Sequence, residues 1–206
     1  MRYYIESDGQ VFLVMRDGRL DLPEANEVPF PVEPIAPLAG DVAWYCVPTL
    51  DRHPEAWSHK DRIQASPDVA PAVRTAVHAT MPRVVVEGLC LRGSRILLVK
   101  GGRGLTRGIW TLPGGFLRFG ETTEACVLRE IREEVGMTGS VDGLVAVRSR
   151  IGQRTRLHWT TLFYRVTVAG EPAPNPDEIA EARFMETEDG LGLLEPEMRA
   201  IVRGLL

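Results

Sequence analysis

The chain has 206 residues, 25% of them charged and 44% apolar, with a net charge of −4. This is an ordinary globular composition, with room for one domain of about 100–150 residues and a smaller second unit. The acidic balance leaves no electrostatic footprint for nucleic acid, and no run approaches the roughly 18 apolar residues of a membrane helix.

The N-terminus lacks the apolar run of a signal peptide. Cys46, Cys90 and Cys126 form no C-x-x-C pair, so neither a disulfide framework nor a zinc ribbon is expected, and a reducing, cytoplasmic setting is. Along residues 2–22, RYYIE and QVFLVM are rich in aromatic and β-branched side chains. Ser7-Asp8-Gly9 and Asp17-Gly18 punctuate them as hairpin turns, which predicts a small antiparallel meander with a third strand at 19–22. From 23 to 37 five of fifteen residues are proline; this excludes a helix or central strand and predicts an extended linker. VAWYCV at 42–47 reads as a strand. HPEAWSHKDR at 53–62 and DVAPAVRTAVHAT at 68–80 read as short helices, the second with Pro71 in its first turn.

The pattern changes at Pro82. RVVVEGLCL and RILLVK, joined by Arg92-Gly93-Ser94, read as paired strands. A glycine-rich loop follows at 101–108, then the short run IWTL and Pro113-Gly114-Gly115. Residues 122–135 read as a helix with Gly136 as its stop. Strand-like runs recur at 143–147, 157–168 and 182–186, and 196–205 reads as a closing helix. Strands around one long helix predict an α+β or α/β/α layered fold.

On a wheel of about 100° per residue, Glu130, Glu133 and Glu134 share an arc of roughly 100°, beside an apolar face of Leu128, Ile131 and Val135. Carboxylates at i, i+3 and i+4 repel one another, and near a helix C-terminus they also oppose the dipole. Taken alone, such a stripe suits a solvated surface. A hard divalent cation, which takes oxygen ligands, is the other way to offset the repulsion.

The wider spacing bears on that choice. Gly115, Glu121, Arg129-Glu130-Ile131, Glu133-Glu134 and Gly136-Met137 resemble the Nudix box, G-x5-E-x7-R-E-U-x-E-E-x-G-U with U apolar, at all nine constrained positions. By residue frequencies a chance match is rarer than about one in a million. The lead-in W-x-L-P-G-G at 110–115 extends the resemblance, which covers residues 82–206 more loosely and leaves 1–81 outside. The resemblance implies a Nudix-type α/β/α sandwich with a mixed sheet at 82–206, while the residue pattern at 1–81 predicts a preceding strand-rich extension with a proline-rich linker and short helices. It implies a Mg²⁺ or Mn²⁺ enzyme that hydrolyses the pyrophosphate of a nucleoside diphosphate joined to another group.

Carried over residue by residue, the metal ligands are Glu130, Glu133, Glu134 and the carbonyl of Gly114. Arg129 orients the carboxylates, with Glu121 as its partner through a bidentate fork. The general base is Glu133 or Glu134, or Glu178 in the loop Asn175-Pro-Asp-Glu-Ile, which also suits a solvated carboxylate; Glu181 is a weaker rival. Arg103 and Arg107, in the loop before the box, are candidates for substrate phosphates or ordinary surface arginines. Trp110, His158, Trp159 and Cys126 have plain packing or surface readings.

The box does not specify the substrate. Position 152, where many ADP-ribose pyrophosphatases have proline, is glycine. The S-Q-P-W-P-F-P-x-S array and four-cysteine site of NADH pyrophosphatases are missing, and no coenzyme A motif precedes the box. The N-terminal strands, with the proline-rich stretch as an arm, resemble the exchanged segment of ADP-ribose pyrophosphatase homodimers. ADP-ribose or a nucleotide sugar is therefore expected first, then dinucleoside polyphosphates or nucleoside triphosphates. A nucleotide sensor without turnover is the reading from another class, although this chain keeps every box glutamate and has no basic winged-helix segment.

Overall fold

The structure is a computed structural model that describes residues 1–206 except His53 and Arg154. The chain divides into two compact units, Met1–Pro82 with Arg150–His158, and Arg83–Ser149 with Trp159–Leu206.

In the first unit, β1 (Tyr3–Ser7), β2 (Gln10–Val11), β3 (Val14–Arg16), β4 (Arg19–Asp21), β5 (Val32–Pro37), β6 (Trp44–Pro48) and β7 (Ser58–His59) precede α1 (Lys60–Ile63) and α2 (Pro71–Thr80). The β1–β2 and β3–β4 turns have φ of 48° and 76° at Asp8 and Gly9, and 49° and 75° at Asp17 and Gly18. Positive φ at both central positions matches the twist of paired strands, which is why Asp-Gly serves there. The meander is not wholly antiparallel as predicted. QVFLVM breaks into β2 and β3, β3 and β4 form a separate ribbon, and β1 lies parallel to β6 in the order β5-β6-β1-β2-β7. The proline-rich segment, expected as a linker or arm, forms the edge strand β5 against β6 of the same chain. An edge tolerates missing N–H donors.

The helix expected over 53–62 is also corrected. Trp57 N–H donates to Pro54 in a turn, Ser58 and His59 pair with β2, and only the single-turn α1 is helical; His53 lies outside the described residues. Pro71 is at the start of α2, whose Val73, Ala76 and Val77 are buried at helical spacing. They meet Tyr4, Val11, Leu22 and Ile63, so this unit has its own core.

The second unit contains β8 (Arg83–Leu89), β9 (Leu91–Arg92), β10 (Arg95–Gly101), β11 (Trp110–Thr111), β12 (Gly114–Phe116), α3 (Thr123–Val135), most of β13 (Thr138–Ile151) and of β14 (His158–Ala169), β15 (Ile179–Glu186), α4 (Thr187–Leu193) and α5 (Pro196–Arg203); Arg150, Ile151 and His158 fall in the first. The two apolar runs at 83–100 do not pair with each other along their length. The first run breaks at Cys90, so β9 makes the hairpin with β10 while β8 joins another sheet. That sheet is mixed, in the order β12-β8-β14-β13, with β8 antiparallel to β12 and parallel to β14. The other sheet aligns β11, β10 and β15.

Strand alternation builds three layers. Leu97 and Val99 of β10 and Tyr164 and Val166 of β14 pack with Cys126, Val127, Ile131 and Val135 of α3. Ile96 and Leu98 of β10 and Phe163 of β14 face the other way, toward Leu191, Leu194 and Val202. Helices therefore cover opposite faces of buried strands, an α+β fold of α/β/α type. Sequence pattern did not mark α4, whose sequence TEDGLGL carries two helix-weakening glycines. Gly190 is there for proximity: a Cβ would come 2.8 Å from Ile96 Cγ2. Among the described residues, no helix is long and apolar enough to cross a membrane.

Candidate active site

The site is built around α3. Thr122 caps its start, accepting from the N–H of Ala125 at 3.2 Å, and Gly136 ends it in the left-handed conformation at φ 65°. Both ends are local chemistry. Between them the apolar face rests on the sheets, which leaves Glu130, Glu133 and Glu134 toward the loop 114–121.

Arg129 is the hub, although it lies on the helix's buried side, only 8% exposed. Its Nε and Nη2 grip Glu121 at 2.7 and 3.0 Å, a two-point fork. Nη1 donates to Glu130 at 2.7 Å and Glu133 at 3.0 Å, and Nη2 also reaches the carbonyl of Phe116 at 3.1 Å. One guanidinium thus orders three carboxylates and ties the loop to the helix. The arginine holds the Glu121 carboxyl down near 2.

Glu134 turns the other way and accepts from the Gly114 N–H at 2.9 Å. Burial pushes its carboxyl up to about 8, reinforced by the charges of Glu130, Glu178 and Glu87. Burial also raises Glu130, against the pull of Arg129. Both displacements have burial as their main cause, with neighbouring carboxylates adding to it.

The glycines make this geometry possible. A Cβ on Gly115 would lie 2.5 Å from Glu130 Oε1, and one on Gly114 would lie 2.1 Å from the Val86 carbonyl oxygen. Gly115→Ala is accordingly expected to push the Glu130 carboxylate aside. Circular dichroism should stay native while divalent-cation affinity falls about tenfold or more, the scale on which disturbing a ligand's supporting contacts weakens a metal site; unchanged affinity by calorimetry would remove this role from Gly115.

The other candidates divide. Glu178 is ion-paired with Arg103, and its carbonyl accepts from the Gly102 N–H at 2.7 Å, so the loops 101–108 and 175–178 are joined beside Glu134. Arg107 is exposed on the same loop, with its N–H 3.4 Å from the Gly104 carbonyl, and the carboxylate network does not include it. Glu181 is matched with Lys100 across β15 and β10 at 2.9 Å and held low by it. Cys126 is buried, bonded to the Phe116 carbonyl and raised to about 12 by desolvation, the opposite of an activated thiol. Trp110 packs in the core beneath Lys100 and Arg183. His158 starts β14 and is half-buried.

Three residues at the site were not singled out from sequence. Arg118 lies on Glu133. Phe116, 52% exposed, meets Trp159 with ring centroids 5.8 Å apart. Glu87 pairs with Gly114 in the strand register, bringing a charge from β8 beside Glu134. A lone charge inside the apolar run RVVVEGLCL was the available signal for Glu87, and adjacency to Gly115 the signal for Phe116.

Among the described residues, no three carboxylate, imidazole or thiolate groups stand together as a ready ligand set. The donors nevertheless fit a hard divalent cation. They are all oxygens, and the missing Cβ of Gly115 keeps space at Glu130.

Comparison with known proteins agrees with this geometry. The sequence profile of the NUDIX domain matches residues 81–205. An ADP-ribose pyrophosphatase of Methanocaldococcus jannaschii is 35% identical over 105 residues, covering 51% of this chain and 62% of that protein. The NAD-capped RNA hydrolase NudC of Pseudomonas aeruginosa is 35% identical over 128 residues, covering 61% of this chain and 42% of that protein. The chain thus spans less than two thirds of the length of either curated relative. A MutT NUDIX hydrolase structure from Burkholderia pseudomallei superposes with a TM-score of 0.52 at 30% identity, covering 60% of this chain and 97% of that one. With its box ordered on α3 and the profile spanning residues 81–205, the chain belongs to the NUDIX family.

Proposed function

We propose that this protein is a Mg²⁺- or Mn²⁺-dependent pyrophosphohydrolase, with ADP-ribose or a nucleotide sugar as its substrate class. The carrying observation is the Arg129 frame, which holds Glu130 and Glu133 beside a Glu134 whose burial raises its carboxyl to about 8. The relative named for ADP-ribose supports the substrate class.

Glu130, Glu133, Glu134 and the Gly114 carbonyl would hold the cation, which supplies charge neutralisation at the pyrophosphate and a Lewis acid for the hydrolytic water. The protein's share is placement and proton transfer. Arg129 and Glu121 keep the carboxylates from rotating away. A water oxygen bonds to phosphorus as the bridging P–O bond breaks. The water's proton passes to a carboxylate, Glu133 or Glu134 on the helix or Glu178 on the adjoining loop. Arg103, already beside Glu178, and Arg107 on the same exposed loop supply positive charge for the phosphates. The Phe116–Trp159 pair offers an apolar ring surface next to Gly115, suited to a nucleobase.

A dinucleotide with a central pyrophosphate is the second reading, favoured by the similarity to NudC. One experiment separates these readings. Purified protein with Mg²⁺ or Mn²⁺ is offered ADP-ribose, NADH, diadenosine polyphosphates and nucleotide sugars in ¹⁸O water. Nucleoside monophosphate from ADP-ribose or a sugar nucleotide supports the first, and from NADH alone the second. No release from any compound defeats both and leaves a binding protein. The position of the label identifies the phosphorus attacked.

A further inference from the structure

Glu133 carries two guanidinium groups of different character. Arg129 belongs to the buried frame, its side chain 9% exposed. Arg118 approaches the same carboxylate from solvent, with Nη2 3.1 Å from Oε2 and 3.4 Å from Oε1, and its side chain is 60% exposed. Its backbone, by contrast, is fixed. The Arg118 N–H donates to Glu121 Oε2 at 3.1 Å, and its carbonyl accepts from the Glu121 N–H at 3.1 Å. Glu121 is in turn gripped by Arg129. Arg118 is therefore a loose cationic head on a rigid root.

An ion pair this exposed is weakly held against water and exchanges readily. It also covers the oxygens that a divalent cation would need from Glu133. Before a cation arrives, Arg118 and Arg129 face Glu121, Glu130 and Glu133. A divalent cation that took the oxygens of Glu133 would displace this exposed guanidinium and release Arg118 from that carboxylate. Its position suits a second task. Leu117 packs inward against the core, and Phe116 and Arg118 flank it. Phe116 brings a half-exposed ring within two residues of that guanidinium.

We propose that Arg118 is an exchangeable counter-ion: it holds Glu133 until a divalent cation displaces it, then binds a phosphate of the nucleotide substrate. It is a positioning and binding residue, and the inference rests on the metal-dependent reading above.

The two tasks have opposite signatures on removal. Metal-free wild type, Arg118→Ala and Arg118→Lys are titrated with Mn²⁺ alone by calorimetry. Each is then assayed with whichever panel compound the wild type cleaves. Losing a cation a few ångströms from the site should tighten Mn²⁺ binding about three- to tenfold in the alanine variant. Its KM should rise about tenfold with a smaller change in kcat, as for a lost phosphate contact. Lysine, which keeps the charge, should stay near wild type in Mn²⁺ affinity. Unchanged or weaker Mn²⁺ binding in Arg118→Ala overturns the counter-ion role, and an unchanged KM overturns the phosphate role. A wild type that binds no Mn²⁺ and cleaves nothing brings down the metal-dependent reading itself, and this inference with it.

Discussion

Glu134→Gln is expected to lower turnover by about two to four orders of magnitude, the range for losing a metal-binding or proton-accepting carboxylate, while the fold stays intact. Glutamine has the shape of the protonated acid, and its amide oxygen can still accept from the Gly114 N–H. The variant should also remove a pH effect. Glu134 rises from the ordinary 4.5 to about 8 in the metal-free fold. A raised carboxyl contributes stability that is complete below about pH 4.5 and is lost as pH climbs through 8. Reduced for the water that still reaches this half-buried group, the effect is worth about 2 kcal/mol. Through Glu134 alone, metal-free wild type should therefore melt about 4–8 °C lower at pH 9 than at pH 5. Glu134→Gln should lose most of that slope, and saturating Mg²⁺ should flatten it in the wild type by favouring the ionised form. A Gln variant with the full wild-type slope would refute the assignment to Glu134. Wild-type turnover in that variant would take Glu134 out of the mechanism.

Arg129→Met should cost about 3–5 kcal/mol of stability, because it leaves Glu121 and Glu130 gathered without their cation and Glu133 with Arg118 alone. The penalty belongs to the carboxylates left behind. Adding Glu121→Gln to Arg129→Met should consequently restore part of that loss, a coupling measured by a double-mutant cycle in urea. Arg129→Lys should fall between the two, since an ammonium keeps the charge but cannot reproduce the fork on Glu121 together with the bonds to Glu130 and Glu133. Strict additivity in the cycle would mean that Arg129 and Glu121 act independently, contrary to their two-point contact.

The parts of this molecule that were legible from sequence are those governed by neighbours along the chain. Thr122 and Gly136 delimit α3 through cap chemistry, and helical spacing alone groups Glu130, Glu133 and Glu134. The Asp-Gly turns at 8–9 and 17–18 are equally local. What escaped depends on pairing across distance. The parallel contact of β1 with β6 joins strands separated by the proline-rich segment. The apolar run that breaks at Cys90 divides between two sheets because both faces of β8 and β10 are covered, so no alternation marks the change. Glu87 reaches Glu134's surroundings only through the register of β8 with β12. Arg118 has no helical or strand period to tie it to Glu133; the turn at 118–121 does so. Arg129 was legible as a partner of Glu121, but its burial was not, because a wheel that sorts by hydropathy assigns charges to water.

The order in which the strands pair also matters while the chain is being made. β8 finds its parallel partner only in β14, and β10 its long antiparallel partner only in β15; both lie after α3 in the sequence. As the polypeptide leaves the ribosome, the box helix emerges before the sheets it covers can close, and such distant pairings form slowly. Until then Cys126, Val127, Ile131 and Val135 have no finished surface to rest on. A stop codon at any position from 138 to 179 would leave every residue of the box in the product, yet that product would lack β15, the strand that completes its scaffold.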